Sequence, residues 1–156
     1  MQDIIYIKPH HFIDIITSID DGKKTFKPHP YRHAVHIVAR KIMCNKDIVL
    51  EIELGVDDIC RPCIHNINGL CDDTIDTSFR PNAPRLKREW NLLIDRRWCE
   101  FLRIKQGNKL SSSEFCIKLQ HINDNIMDIY REVPAERTAE RLNKLKKGIN
   151  VFLEEE

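Results

Sequence analysis

The chain lacks most of the features that commonly reveal a protein's function. Its 156 residues contain no P-loop, no G-x-G-x-x-G, no H-E-x-x-H and no G-x-S-x-G. Phosphate-loop, dinucleotide, zincin and hydrolase-elbow chemistry therefore have no basis in the sequence. An excess of one charge is also missing. Lys and Arg total 25 against 24 Asp and Glu, so no bulk field draws the chain onto nucleic acid or an anionic membrane. The longest apolar run is a few residues, which argues against a transmembrane span. The opening MQDIIYIKPHH has no basic stretch followed by an apolar one, so no signal peptide is expected and a cytoplasmic location is. There are no internal repeats and no low-complexity tract. With 42% hydrophobic and 31% charged residues, the composition excludes a disordered or fibrous chain.

Cysteine is well represented, with six residues. In a reducing compartment these read as a metal site plus buried thiols rather than disulfides. Cys60, Cys63 and Cys71 cluster. Cys44, Cys99 and Cys116 are scattered, and Cys99 and Cys116 read as non-ligands.

The pattern along the chain predicts an α+β fold, mostly helical. Residues 3–8 read as a strand. Pro9 opens a helix to about Ile19, with Phe12, Ile15, Ile16 and Ile19 on one face, stopped at Asp20-Asp21-Gly22. A second helix is expected over 31–44 and a strand over 48–54, where IVLEIEL alternates. The two strands are expected to pair beside a cysteine loop spanning 55–84, which has no periodicity. A loop that long is normally functional or held by something. Three helices should follow: 85–105, one from the capping box Ser111–Glu114 carrying Phe115 to Ile129, and one from Pro134 carrying Ala135 to Phe152. The expected organisation is a metal-binding segment, 1–84, with a helical segment, 85–156, packed on it as one domain.

The cysteine loop reads Cys60-x2-Cys63-x7-Cys71. The C-x2-C pair lets two thiolates converge on one centre while the backbone turns. Pro62 stiffens the turn and Gly69 permits an unusual backbone angle before Cys71. Thiolate is the soft ligand of zinc, copper(I) and iron–sulfur clusters. Three thiolates leave one position unfilled. Zinc would close it with histidine, for which His65 is a candidate. An iron–sulfur cluster would take a fourth ligand or leave one iron open as a Lewis acid. On the first helix His10 and Asp14, i and i+4, fall on the face opposite the apolar stripe and form a ligand platform or acid–base pair.

The segments I-K-P-H-H-F-I-D at 7–14 and D-D-I-C-R-P-C-I-H-N-I-N-G-L-C at 57–71 resemble a small prokaryotic family of unknown function. Its members are short cysteine-containing proteins often labelled iron–sulfur or metal-binding. The resemblance covers roughly residues 5–75. Its motifs, P-H-H-x-x-C and D-D-I-C-x-x-C-x-H-N…C, are matched at Pro9, His10, His11, Asp57, Asp58, Cys60, Cys63, His65, Asn66 and Cys71. The resemblance implies a four-cysteine site. Asp14 departs from it, standing where the family has its first cysteine, and so becomes the candidate fourth ligand.

Three further groups bear on function. His33 and His36, i and i+3, suit a second metal or an anion. Arg97 falls inside the apolar stripe of the 85–105 helix, where a guanidinium must find a carboxylate or an anionic ligand. Residues 76–105 hold eight basic and four acidic side chains, but Trp90 and Trp98 lie on the core stripe, so nucleic acid is not expected. The sequence reading is an iron–sulfur protein, of three-cysteine 4Fe-4S type. Cys60, Cys63, Cys71 and Asp14 hold the metal, and His10, His11 and Asp14 serve as acid–base groups. Arg97, His33 and His36 bind a small anionic or sulfur-containing ligand. The alternative is a structural zinc module closed by His65, His10 or Asp14 and acting as a protein-interaction domain.

Overall fold

The computed structural model describes residues 3–19 and 26–154; the expected stop at Asp20–Gly22 lies outside them. The chain runs β1 (Ile4–Ile7), α1 (Pro9–Ile19), α2 (Val35–Cys44), β2 (Val49–Ile52), a hairpin of β3 (Asn66–Ile67) and β4 (Leu70–Cys71), α3 (Lys87–Leu102), β5 (Lys109–Ser111), α4 (Ser112–Leu119), α5 (Ile126–Ile129) and α6 (Ala135–Glu154). This is a mixed, mostly helical α+β fold. None of the described helices is long and apolar enough to cross a membrane.

β1 and β2 pair in parallel from Ile4 opposite Val49 to Ile7 opposite Ile52. The expected two-stranded element gains a third member, because β5 adds antiparallel to β2. Three residues are too few to show alternation, and Ser111 doubles as the helix cap. Its Oγ accepts from the backbone N–H of Glu114 at 3.1 Å, and the Glu114 carboxylate accepts from the Ser111 N–H at 2.8 Å. That is the anticipated capping box.

Two helix expectations are corrected. The second helix starts at Val35, not residue 31. Residues 31–34 are drawn to the cysteine loop instead. The N–H of Ala34 donates to Ile59 O at 2.9 Å, that of Ile64 donates to Tyr31 O at 2.8 Å, and Arg32 takes a left-handed φ of 62°. The helix expected through Ile129 is broken into α4 and α5. Asn123 and Asn125 interrupt it, the Asn125 side chain accepting from the Asn123 N–H at 2.8 Å. The apolar period continues across the break because Ile122, Ile126 and Ile129 are all buried.

One core draws on both halves of the chain. Phe12 of α1 packs on Phe115 of α4, with ring centroids 4.3 Å apart, and meets Phe152 of α6 edge-on. Burial of each such ring contributes roughly 1.5–3 kcal/mol. α1 and α6 cross closely at Gly148, where any Cβ would collide with the Ile16 carbonyl. The crossing sets the α1 and α6 side chains beside each other along one cleft.

Candidate metal centre

The cysteine loop is an ordered structure docked on β1. Tyr6 N–H donates to the Asp58 carboxylate and Asp58 N–H donates back to Tyr6 O, both at 2.9 Å. Asp57 is fully buried. One of its oxygens accepts from Lys8 N–H at 2.8 Å and from His11 Nδ1 at 2.7 Å, and the other from Cys60 N–H at 2.9 Å. Burial alone would raise its pKa, but the His11 charge and hydrogen bond, with the two backbone donors, hold it well below the usual carboxylate range. Asp57 thus ties the start of α1 to the first turn of the C-x2-C segment. That turn closes through Cys63 N–H to Cys60 O at 2.9 Å. The hairpin returns through Asn68 and Gly69, both at positive φ, 53° and 85°. Asn-Gly suits a two-residue hairpin turn with both centres left-handed. Cys71 is set opposite Asn66.

Successive residues on a helix diverge by about 100°, so His10 and His11 reach different partners. His10 is buried against α3. Its backbone N–H donates to Asp95 at 2.8 Å and its Nδ1 lies 2.8 Å from the same carboxylate. His10 lies opposite the apolar stripe, as expected, yet it is buried. α1 is covered on more than one side, by α6 and by α3. Burial lowers the His10 pKa, but Asp95 more than offsets this, and the pKa stands above its ordinary value. An ionised carboxylate only accepts, so Nδ1 carries the proton in His10, in His11 and in His65, which meets Asp72 at 2.7 Å. In His10 and His11 Nε2 is left for other chemistry, the arrangement common to metal-ligating histidines, whereas His65 Nε2 lies 4.0 Å from the Asp73 carboxylate.

These groups line one cleft of about 470 Å³. Cys60, Cys63, Cys71, His10, His11, His33, His65 and Asp14 all face it. The ligand atoms of His11, Asp57 and Cys60 lie within 4.8 Å of one another, a group able to hold a metal ion. Cys63 and Cys71 stand outside that compact group. Burial, then the nearby Asp57 carboxylate, pushes the Cys60 thiol up to about 12, against the pull of the buried Lys8 ammonium 3.5 Å away. A metal ion bound here would favour the thiolate form of this sulfur. His33 contributes an orphaned ligand atom, since its buried Nδ1 has no hydrogen-bond partner. Its ring stacks on His29, and burial followed by His29 lowers its pKa.

Other sequence candidates fall elsewhere. His36 does not line the cleft, because the late start of α2 leaves His33 outside the helix. Arg97 is not an anion clamp. Its guanidinium is engaged by both Glu132 oxygens, at 2.7 and 2.9 Å, and by Ile129 O at 2.9 Å. Asp14 is half-exposed and pairs with Arg141 of α6 at 3.0 Å. Cys99 and Cys116 are buried thiols of the core and Cys44 is exposed. Sequence reasoning missed the roles of Lys8, Asp57 and Asp95. Asp57 had a signal, because it belongs to the D-D-I-C motif. It also missed Arg80, Arg137 and Arg141, which line the cleft. Their only signal was the i, i+4 spacing of the last two.

Compared with protein-family models, curated proteins and solved structures, the chain finds no match. The site is therefore read from its own chemistry. It offers three thiols, four histidines with three of them oriented by carboxylates, and one buried cation beside a sulfur.

Proposed function

We propose that the protein binds an iron–sulfur cluster through Cys60, Cys63 and Cys71 and acts on a small ligand admitted by the cleft. The observation that carries this reading is that three thiols from one loop share a cleft with histidines whose Nδ1 atoms are already held by carboxylates. The spread of the thiols supports a cluster over a single ion. Sulfurs around one tetrahedral zinc lie about 3.8 Å apart, from a bond of about 2.3 Å, whereas the sulfurs of Cys60, Cys63 and Cys71 do not all fall within 4.8 Å of one another. A cluster with one iron not bound to thiolate supplies a Lewis-acid position.

Around that position the chain's own residues have separable parts. His11 shares Asp57 with the Cys60 turn and is the group best placed to complete the metal site. His10, buried and with its Nδ1–H held by Asp95, can take up a proton at Nε2 and return it. Lys8 compensates negative charge at Cys60. Asp14, engaged by Arg141, fits a ligand-facing role better than a metal-ligating one. The test is anaerobic purification or reconstitution followed by iron and sulfide analysis. The expected protein is brown, with broad absorbance at about 400 nm and matched iron and sulfide.

A second reading has its own support. His65 is oriented by Asp72 and could close a zinc site, and Ile64 before it, with Ile67 and Leu70 of the adjoining hairpin, is exposed, a surface for a protein partner. Colourless protein with stoichiometric zinc and no sulfide would establish it.

A further inference from the structure

The cleft has a second end. Arg80 enters it from the loop before α3, and Arg137 and Arg141 enter from successive turns of α6. Each guanidinium lies on an aromatic ring. Arg137 Cζ is 3.9 Å from the Phe79 centroid. Arg80 Cζ is 4.7 Å from Phe79 and 5.2 Å from Trp90. Arg141 Cζ is 4.5 Å from Tyr130, whose hydroxyl is anchored by Trp98 Nε1 at 3.1 Å. Stacking fixes the guanidinium planes and leaves N–H edges to donate. Few protein acceptors claim those edges. Arg80 spends Nε on Asp76 O at 2.8 Å and Arg141 spends one N–H on Asp14 at 3.0 Å. Among the described residues no carboxylate is hydrogen-bonded to Arg137 or to the Arg80 side chain. Burial lowers the Arg80 pKa, and the charges of Arg141 and Arg137 lower it further, with Asp76 opposing. Three cations therefore crowd one end of the cleft, set against Asp14 in its lining and the exposed Asp76 carboxylate beside Arg80 and Arg137.

We propose that Arg80, Arg137 and Arg141 form an anion subsite that takes the phosphoryl dianion of a small ligand. Three guanidiniums from two elements suit a tetrahedral oxyanion, which offers acceptors in more directions than a planar carboxylate. Set against Asp14 and the exposed Asp76, they still leave a net positive charge that attracts an anion. The cleft is large enough for a body attached to the phosphate. That body extends toward Cys60 and His11, so the ligand is a phosphate monoester rather than free phosphate. This last step rests on the metal reading; the anion subsite does not.

Calorimetric titration at constant ionic strength, with inorganic phosphate, glycerol phosphate and acetate as probes, tests this. The metal-loaded and chelator-treated full-length proteins are both used. Saturable one-to-one binding of both phosphates is expected in either form, with acetate at least about tenfold weaker. Glycerol phosphate binding more tightly than inorganic phosphate supports the monoester. Arg137→Gln and Arg80→Gln should each weaken phosphate about tenfold, the loss of one charge-assisted partner. Asp14→Asn, which releases an Arg141 donor, should tighten it. Arg131→Gln, outside the cleft, should change nothing, and circular dichroism checks that each variant is folded. Phosphate binding no better than acetate, or unaffected by both Arg137→Gln and Arg80→Gln, overturns the subsite. Phosphate binding by a protein that takes up neither iron nor zinc would leave the subsite standing and remove the metal centre.

Discussion

The two ends of the cleft hold charge in opposite ways. At the thiol–histidine end, buried carboxylates are saturated by backbone N–H groups and imidazoles: Asp57 accepts from Lys8, His11 and Cys60, and Asp95 accepts twice from His10. Each acceptor has one geometry and little freedom, which is what holding a metal's ligands requires. At the arginine end, cations rest on aromatic faces, remain partly open to water, and meet the half-exposed Asp14 and the exposed Asp76. Few of the guanidinium N–H groups there have a protein acceptor. The contrast teaches that one cleft can combine a pre-organised, desolvated end with a more solvated, charge-rich one.

The comparison can be broken most severely at Asp57. Asp57→Ala strands two backbone N–H groups and the His11 imidazole, at a cost of about 3–5 kcal/mol. Urea unfolding should show that loss, and residues 55–84 should become sensitive to protease. A loss below about 1 kcal/mol would mean that the loop is held by something other than this carboxylate. Glu132→Gln probes the Arg97 pair, which belongs to the framework rather than to either end. With both partners largely buried, it should cost about 1–3 kcal/mol at neutral pH. The hydrogen bond from Arg97 holds the Glu132 pKa below its ordinary value. Its contribution is therefore present above the unfolded pKa of about 4.3 and lost as pH falls through the folded value. The gap between wild type and Glu132→Gln should close below pH of about 4; a gap independent of pH would point to packing instead. Smallest is Asp14→Asn. Its pair with Arg141 is half-exposed, so stability should change by less than about 1 kcal/mol, and less still in high salt. A loss equal to that of Asp57→Ala would erase the distinction between the two ends.

Much of the framework was legible. Pro9 and the Phe12–Ile19 stripe marked α1, Ser111 and Glu114 marked the start of α4, and Asn68-Gly69 lay within a loop already singled out by its cysteine spacing. Local rules govern all three. What could not be read depends on contacts distant in sequence. Residues 31–34 leave the helix because Ile59 and Ile64 claim their backbone. His10 lies opposite the apolar stripe yet is buried, because α3 brings Asp95 from 85 positions away. Arg97 was rightly seen to need a partner within the apolar stripe, but Glu132 lies 35 positions on. The arginine end draws on positions 80, 137 and 141, and only the fold makes them neighbours.

The most direct measurement is iron, zinc and sulfide content across the six single Cys→Ser variants, purified anaerobically. Cys60→Ser, Cys63→Ser and Cys71→Ser should each lose most of the iron and sulfide, while Cys44→Ser, Cys99→Ser and Cys116→Ser keep the wild-type content. Equal loss from both sets, or wild-type protein that takes up no metal, would contradict a metal centre at the cysteine loop.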